Sequence, residues 1–176
     1  ITDLAAGTVC MSDIMIRWAV EADIPQINNI YNHYIRETPI TFDIEEKTEE
    51  DSAYWLQKLG TSGRHQCFVA VRGDTVLGWA CSGAYRPKAA YGTSVEVSVY
   101  LDPKAGGQGL GSALYARLFD ALIGEDVHRA LAGVTLPNDA SLALHKRFGF
   151  TEVGTYSEVG RKFDTYWDVM WLEKLL

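Results

Sequence analysis

A glycine-rich loop and a nearby carboxylate are the residues of this chain best suited to chemistry. The loop spans residues 106–111 (GGQGLG) and precedes a leucine-striped segment, which predicts an amphipathic helix. Free backbone N–H groups at a helix N-terminus form a ready site for a phosphate-bearing ligand. Glu96 lies on the β-branched run that leads into this loop. An anion site with a candidate base beside it indicates an enzyme that uses a phosphorylated cofactor.

Two common phosphate-binding loops do not fit this glycine pattern. A P-loop needs Lys followed by Ser or Thr after its last glycine, whereas Gly111 is followed by Ser112 and Ala113. A dinucleotide fingerprint needs GxGxxG, and Leu114 occupies its third glycine position. The remaining pattern suits a diphosphate held only by main-chain amides. A flexible loop that binds nothing is the alternative that the loop by itself leaves open.

Five other residues have a functional and an ordinary interpretation. Glu96, between two valines of a predicted strand, is either a base or an edge residue facing water. Asn138 can simply cap the N-terminus of a helix. His145 can donate a proton near neutral pH, but a lone helical histidine is more often structural or exposed. Arg86 and Lys88 can bind oxyanions together, or both can be solvated charges.

Composition predicts a single soluble domain with a sizeable core, since 47% of the 176 residues are hydrophobic and 22% are charged. The net charge of -7 argues against general nucleic-acid affinity. Cys10, Cys67 and Cys81 show neither metal-ligand spacing nor a disulfide framework, which favours a reducing cytoplasm. We expect no signal peptide and no membrane span. Residues 1–13 are predicted to be a flexible tail, and residues 14–176 one domain.

The hydrophobic pattern predicts alternating groups of strands and helices. The predicted strands cover residues 14–20, 67–72, 75–82, 94–101, 128–136, 150–158 and 166–172. The predicted helices cover residues 23–37, 48–59, 108–123 and 137–149, with Asp23, a Thr48/Asp51 capping box and Asn138 as N-terminal signals. Residues 38–46 are a predicted loop, and residues 85–92 a loop or strand continuation. The order indicates an α/β (α+β) fold with helices over a mixed, mostly antiparallel sheet.

Several segments together resemble the GNAT-type N-acetyltransferases, most closely the phosphinothricin and methionine sulfoximine acetyltransferase branch. The segments are IYNHYI (30–35), TSVEVSVYLDP (93–103), GQGLGSALY (107–115), LPNDASLALHKRFGF (136–150) and GRKFDTYWDVMW (160–171). Their order and spacing extend over nearly everything from Ile16 to Leu172. The resemblance implies the GNAT fold, acetyl-CoA as co-substrate and no metal.

The resemblance also implies roles for particular residues. Glu96 would be the general base, and His145 would donate a proton to the leaving thiolate or contact the substrate. Gly106 stands where the family usually has Arg or Gln, so acetyl-CoA affinity would be lower unless Lys104 compensates. The implied acetyl-CoA-binding residues are Val99, Tyr100, Leu101, Gly107, Gln108, Gly109, Leu110, Gly111, Ser112 and Asn138. The implied substrate-binding residues are Phe42, Arg86, Lys88 and Tyr91, with Tyr31 an outside candidate.

The expected function is acetyl transfer from acetyl-CoA to the α-amino group of a small amino acid analogue. Phosphinothricin, methionine sulfoximine and methionine sulfone are the implied substrate class, and resistance to such compounds is an implied role. Acetylation of a peptide or protein amine, or CoA sensing without turnover, are the alternatives. A cytoplasmic homodimer is expected, with neither nucleic acid nor membrane as a partner. Lys162, Phe163, Tyr166 and Trp167 would complete the site or a dimer surface.

Overall fold

A seven-stranded sheet forms the centre of the fold. The computed structural model describes residues 13–176, so Cys10 and nearly all of the predicted tail lie outside the described residues. The strands are β1 (Met15–Trp18), β2 (Cys67–Arg72), β3 (Thr75–Ala84), β4 (Ser94–Leu101), β5 (Arg129–Thr135), β6 (Thr151–Lys162) and β7 (Thr165–Leu175). Their spatial order is β1-β2-β3-β4-β5-β7-β6. β4 and β5 are parallel and the other neighbours antiparallel, which confirms the predicted mixed sheet.

Four helices cover the two faces of the sheet. They are α1 (Ile24–Glu37), α2 (Glu49–Leu56), α3 (Leu110–Leu122) and α4 (Asp139–Arg147). Side chains of α1 and α2 pack with Val69 and Trp79 on one face, which we call the α1 face. Side chains of α3 and α4 pack with Val95 and Val97 on the other, the α3 face. Because side chains alternate along a strand, Glu96 lies on the α1 face.

Local capping signals set two of the helix starts. The Thr48 hydroxyl accepts a hydrogen bond from the Asp51 N–H, and the Asp51 carboxylate accepts one from the Thr48 N–H, as the sequence predicts. The Asn138 side chain likewise accepts from the Ser141 N–H at 3.1 Å. Asp23 is the N-cap residue of α1, as predicted, but its side chain accepts no hydrogen bond from that helix. Its carboxylate instead accepts two hydrogen bonds from Arg17, at 2.7 and 2.8 Å, because a buried carboxylate is best neutralised by a bidentate guanidinium.

The ladder between β4 and β5 is short. It pairs Ser94–Glu96 with residues 129–131, whereas β4 continues beside β3 to Leu101 and β5 continues beside β7 to Thr135. The two parallel strands therefore separate after Glu96. We call the resulting gap the β4–β5 opening.

None of the helices within residues 13–176 combines the length and the apolar character needed to cross a bilayer.

Candidate active site

A groove of about 460 Å³ runs along the end of β4, the glycine loop and α4. It brings together nearly all of the residues predicted to bind acetyl-CoA: Val99, Tyr100, Leu101, Gly107, Gly109, Leu110, Gly111, Ser112 and Asn138. Gln108 is the exception, because it is not part of the groove wall. Among the described residues its Oε1 atom is buried without a hydrogen-bond partner.

The glycine loop has the conformation that an anion site needs. Gly107 and Gly109 have φ angles of 77° and 74°, in the left-handed region that L side chains rarely adopt. Gly109 is the N-cap of α3, and no side chain caps that helix end. Because the first N–H groups of a helix lack intrahelical partners, this end can donate to phosphate oxygens.

Arg147 is a groove residue that the sequence reasoning missed. It lines the groove from the last turn of α4, and its Nη1 donates to the Ser112 Oγ at 3.2 Å, beside the start of α3. Ala140, Leu144 and Arg147 line the same groove at helical spacing, a signal that the sequence already held. Lys104, proposed to compensate for Gly106, is exposed and lies outside the groove wall. The positive charge beside the glycine loop therefore comes from Arg147 of α4 and not from Lys104.

Glu96 stands where the β4–β5 ladder ends. It is half-buried, opposite Gly83 of β3 and Leu131 of β5. Because β4 is a central strand, the interpretation of Glu96 as an edge residue is wrong. Burial raises the pKa of Glu96 above its ordinary value, and the positive charge of Arg86 partly opposes this shift. A carboxylate with a raised pKa at the mouth of an opening suits a proton acceptor.

His145 is buried in the wall of the β4–β5 opening. Its Nδ1 lies 2.8 Å from the Ser141 carbonyl oxygen, which can only accept, so Nδ1 carries the proton. Nε2 then accepts from the Tyr115 hydroxyl at 2.9 Å. Burial lowers the pKa of His145, which favours this neutral ring. In this tautomer Nε2 carries no proton and serves as the acceptor of the Tyr115 hydroxyl.

The residues predicted to bind substrate are brought together only in part. Arg86 and Tyr91 meet at Tyr85: the Arg86 guanidinium lies 5.0 Å from the centre of that ring, and the two tyrosine rings are 5.6 Å apart. Lys88 is exposed in the same connection, which is a loop with a short turn rather than a strand. Phe42 packs instead against Gly160 of β6.

A second cavity, of about 480 Å³, lies on the α1 face, the face of Glu96. Tyr31, Trp55, Trp79 and Tyr100 provide its aromatic walls, and residues 43 and 45–47 of the loop between α1 and α2 line it as well. Ser98 and Tyr100 line both this cavity and the β4–β5 opening. A small molecule in this cavity would therefore lie close to the opening at which Glu96 stands.

Comparison with known proteins identifies the family. A family model described as the acetyltransferase (GNAT) family matches residues 27–150, which include β4, the glycine loop and α4. The chain belongs to the GNAT family. GNAT acetyltransferases use acetyl-CoA, so the predicted fold, enzyme class and co-substrate are confirmed. The groove fits that molecule, since the free N–H groups of α3 and the cation of Arg147 lie together at one end of it.

Individual relatives of this acetyltransferase carry more specific names. It is 53% identical over 167 residues to a phosphinothricin N-acetyltransferase of Streptomyces coelicolor, which covers 94% of this chain and 98% of the relative. It is 31% identical to an L-methionine sulfoximine/L-methionine sulfone acetyltransferase of Salmonella typhimurium, over 90% of this chain and 92% of the relative. A solved phosphinothricin acetyltransferase from Sinorhizobium meliloti, in complex with AcCoA, superposes with a TM-score of 0.87 at 28% identity, over 93% of this chain and 89% of the other.

Within residues 13–176, no cluster of three or more His, Cys, Asp or Glu side chains could hold a metal ion.

Proposed function

We propose that this acetyltransferase acetylates the α-amino group of a small amino acid analogue of the phosphinothricin, methionine sulfoximine or methionine sulfone class. The names of its relatives support this class. The observation that carries the proposal is the position of Glu96, half-buried at the β4–β5 opening and on the same face as a cavity of small-molecule size. A single amino acid fits such a cavity, whereas a peptide needs an open groove.

The groove on the other side of the opening would hold acetyl-CoA, which supplies an acetyl group on a thioester. The glycine loop and Arg147 would bind the diphosphate, because both present donors or positive charge there. Beyond Glu96, β4 has no β5 partner, so main-chain groups of Val99 to Leu101 can bind the pantetheine arm. Asn138 lines the same groove at the start of α4.

Glu96 would accept the proton that the acceptor ammonium must lose before it can react. The free amine then attacks the acetyl carbonyl carbon, the new N–C bond forms and the C–S bond breaks. The proton that the nitrogen loses as the amide forms passes to the sulfur, so CoA leaves as the thiol. The chain needs no covalent intermediate for this reaction. In this scheme His145 is a positioning residue, which holds the hydroxyl of Tyr115 at the wall of the opening.

Thiol release from acetyl-CoA with a panel of acceptors tests the substrate class. We expect turnover with phosphinothricin, methionine sulfoximine or methionine sulfone, and none with peptide amines. Glu96→Gln should lower kcat by about 100-fold or more, the usual contribution of a general base. Glu50→Gln, at an exposed position of α2, is the matched control and should leave the rate unchanged. Full activity of Glu96→Gln over the whole pH range would contradict the assignment of the base.

Arg86 and Lys88 would bind the acidic groups of the acceptor. Arg86 interacts electrostatically with Glu96, so a carboxylate held by Arg86 would bring its own amino group near that base. The double substitution Arg86→Ala, Lys88→Ala should raise the KM of the acceptor and leave the KM of acetyl-CoA unchanged. An unchanged acceptor KM would remove both residues from the proposal.

We also propose that the protein is a homodimer that uses the β6–β7 pair. β6 is an edge strand, and it exposes large apolar side chains at Val153, Tyr156 and Val159, each 56–60% accessible. Monomers rarely leave such an edge uncovered. Sedimentation should show a dimer that Val159→Lys dissociates and that Ile123→Lys, at an exposed site at the end of α3, does not. A wild-type monomer at micromolar concentration would contradict this.

A cytoplasmic location and a role in resistance belong to the same proposal. The cysteine pattern that favours a reducing compartment supports the first. The role in resistance is supported by the chemistry of the reaction, because acetylation removes the positive charge of the analogue's amino group. Expression in a sensitive host, with Glu96→Gln as the inactive control, should protect against the analogue that the wild-type enzyme acetylates.

A further inference from the structure

Lys162 is a buried lysine that the proposed acetyl transfer does not use. It is the last residue of β6, and 5% of its surface is accessible. Lysine is rarely buried without a partner that compensates its lost hydration. Its Nζ donates to the main-chain carbonyl of Thr41 at 2.7 Å, and the two residues are 121 positions apart in the sequence. The bond joins the end of β6 to the α1–α2 loop, residues 38–48.

A second contact joins the same two parts of the fold. The ring of Phe42, the next residue of the loop, packs directly on Gly160 of β6, so closely that a Cβ atom at position 160 would overlap the ring. Glycine at this position therefore lets the loop lie against the strand. Within the α1 side of the fold, the Tyr31 hydroxyl bonds to Thr41 and Asp43, at 2.8 Å each.

The turn that follows Lys162 has an energetically unfavourable backbone conformation. Phe163 and Asp164 both have positive φ angles, 53° and 54°, where glycine or asparagine is usual. The Arg161 guanidinium binds the Asp164 carboxylate at 3.0 Å, and the Trp167 Nε1 donates to the Lys162 carbonyl at 2.9 Å. These contacts hold the end of β6 in place, so Lys162 offers the loop a fixed anchor.

The anchored loop forms part of the cavity on the α1 face. Asp43 and Lys47 of the loop line that cavity, whose wall continues through Ser98 into the β4–β5 opening. The position of the loop thus sets the space available to a molecule beside Glu96. Loss of its anchor would change that space, whereas the loop reaches the groove on the other side of the opening with a single residue, Ile40.

We propose that Lys162 is a positioning residue, which fixes the α1–α2 loop over the acceptor cavity and thereby sets the affinity for the acceptor. The assignment of this cavity to the acceptor rests on the proposed function. The anchoring of the loop by Lys162 does not, because it follows from the contacts alone.

Lys174 provides a matched control. It lies on β7, and its Nζ donates to the Phe148 carbonyl at 2.8 Å, so it also ties a strand to a loop through one charged hydrogen bond. Its partner follows α4, away from the α1–α2 loop. Lys174→Met therefore removes an equivalent bond without releasing residues 38–48.

Hydrogen–deuterium exchange of the free protein tests the anchor without any substrate. In Lys162→Met, amides of residues 38–48 should exchange about tenfold faster or more, the effect of losing a charged hydrogen bond, while residues 67–72 exchange as before. Lys174→Met should leave residues 38–48 unchanged. Wild-type exchange of the loop in Lys162→Met would overturn the proposal. If Lys162→Met does not fold, Gly160→Ala, which forces Phe42 off β6, must speed the exchange of residues 38–48. Unchanged exchange of these residues in Gly160→Ala would equally overturn the proposal.

Kinetics then test the consequence for the acceptor. Lys162→Met should raise the acceptor KM about tenfold and leave kcat near wild type, and Lys162→Arg should restore part of the affinity. The KM of acetyl-CoA should change less than the acceptor KM, because the loop lines that groove only with Ile40. A fall in kcat with an unchanged acceptor KM would overturn the positioning role. If the wild-type enzyme acetylates no amino acid analogue, the proposed function fails, whereas the exchange measurement still decides whether Lys162 anchors the loop.

Discussion

Gly78 offers a quantitative test of how tightly β3 and β4 pack beneath the acetyl-CoA groove. It is buried opposite Leu101, and a Cβ atom there would lie 2.5 Å from the Leu101 Cδ2 and 2.9 Å from the Tyr100 carbonyl oxygen. Overpacking of this kind costs about 1–3 kcal/mol, and replacing glycine within a strand returns about 0.5–1 kcal/mol. Gly78→Ala should therefore lower the free energy of unfolding by roughly 1–2 kcal/mol.

Thermal unfolding is the assay for this substitution. In a chain of 176 residues the loss corresponds to a Tm lower by roughly 2–8 °C. The KM of acetyl-CoA should also rise, because Leu101 lines the groove and its carbonyl accepts from the Tyr34 hydroxyl at 2.7 Å. Gly83→Ala on the same strand is the control, since its nearest atom would be 4.0 Å away, and its Tm should stay level or increase. A Gly78→Ala protein that melts at or above the wild-type temperature would refute the packing argument.

Three further predictions concern charge. Glu96→Gln should raise the Tm at neutral pH while it lowers kcat. Because burial raises the pKa of Glu96, its ionised carboxylate destabilises the folded protein at pH values above its ordinary pKa of 4.5. Calorimetry as a function of pH measures this effect. Gly106→Arg should lower the KM of acetyl-CoA, because Gly106 has an ordinary φ of −65° and open space at its Cβ, so that position can accept the added cation. Arg147→Met should raise the same KM, because it removes a cation from the groove. Initial rates against acetyl-CoA concentration measure both effects. Burial alone would raise the pKa of Asp23, but hydrogen bonds from Arg17 and a backbone N–H lower it. Its stabilising effect should therefore disappear as the pH falls below 3.8, and Asp23→Asn should remove this acid sensitivity in urea unfolding.

Patterns within a few residues predicted much of this fold and groove. The alternation of Val95, Glu96 and Val97 places the carboxylate on the face opposite the two valines, which pack with α3 and α4 in the structure. The caps at Thr48 and Asn138 form because their partners are three positions away. Each of these features depends on contacts between near neighbours in the chain, which a sequence displays directly.

Features that depend on distant partners could not be predicted in this way. The sequence assigns Lys162 to the site or to a dimer surface, but it does not show that β6 brings this residue to the carbonyl of Thr41. The partner of the His145 Nε2 is the hydroxyl of Tyr115, which belongs to another helix. Asp23 lies at the N-cap of α1, but its carboxylate binds Arg17, because a bidentate guanidinium donates two charge-assisted hydrogen bonds where a cap would supply one.

The short ladder between β4 and β5 makes the sheet two smaller sheets that share one seam. Three residue pairs join the strands β1–β4 to the strands β5–β7 across that seam, and side chains of the α3 face and the bond from Lys162 to Thr41 add to this connection. The place where the enzyme would bind its co-substrate is therefore also the place where the sheet has its shortest ladder. Filling the opening at a hundredfold excess over Kd would add about 2.7 kcal/mol to the free energy of unfolding. When acetyl-CoA binds, hydrogen exchange of β4 and of β5 should slow together. Binding would then join the two parts of the sheet where their own ladder ends.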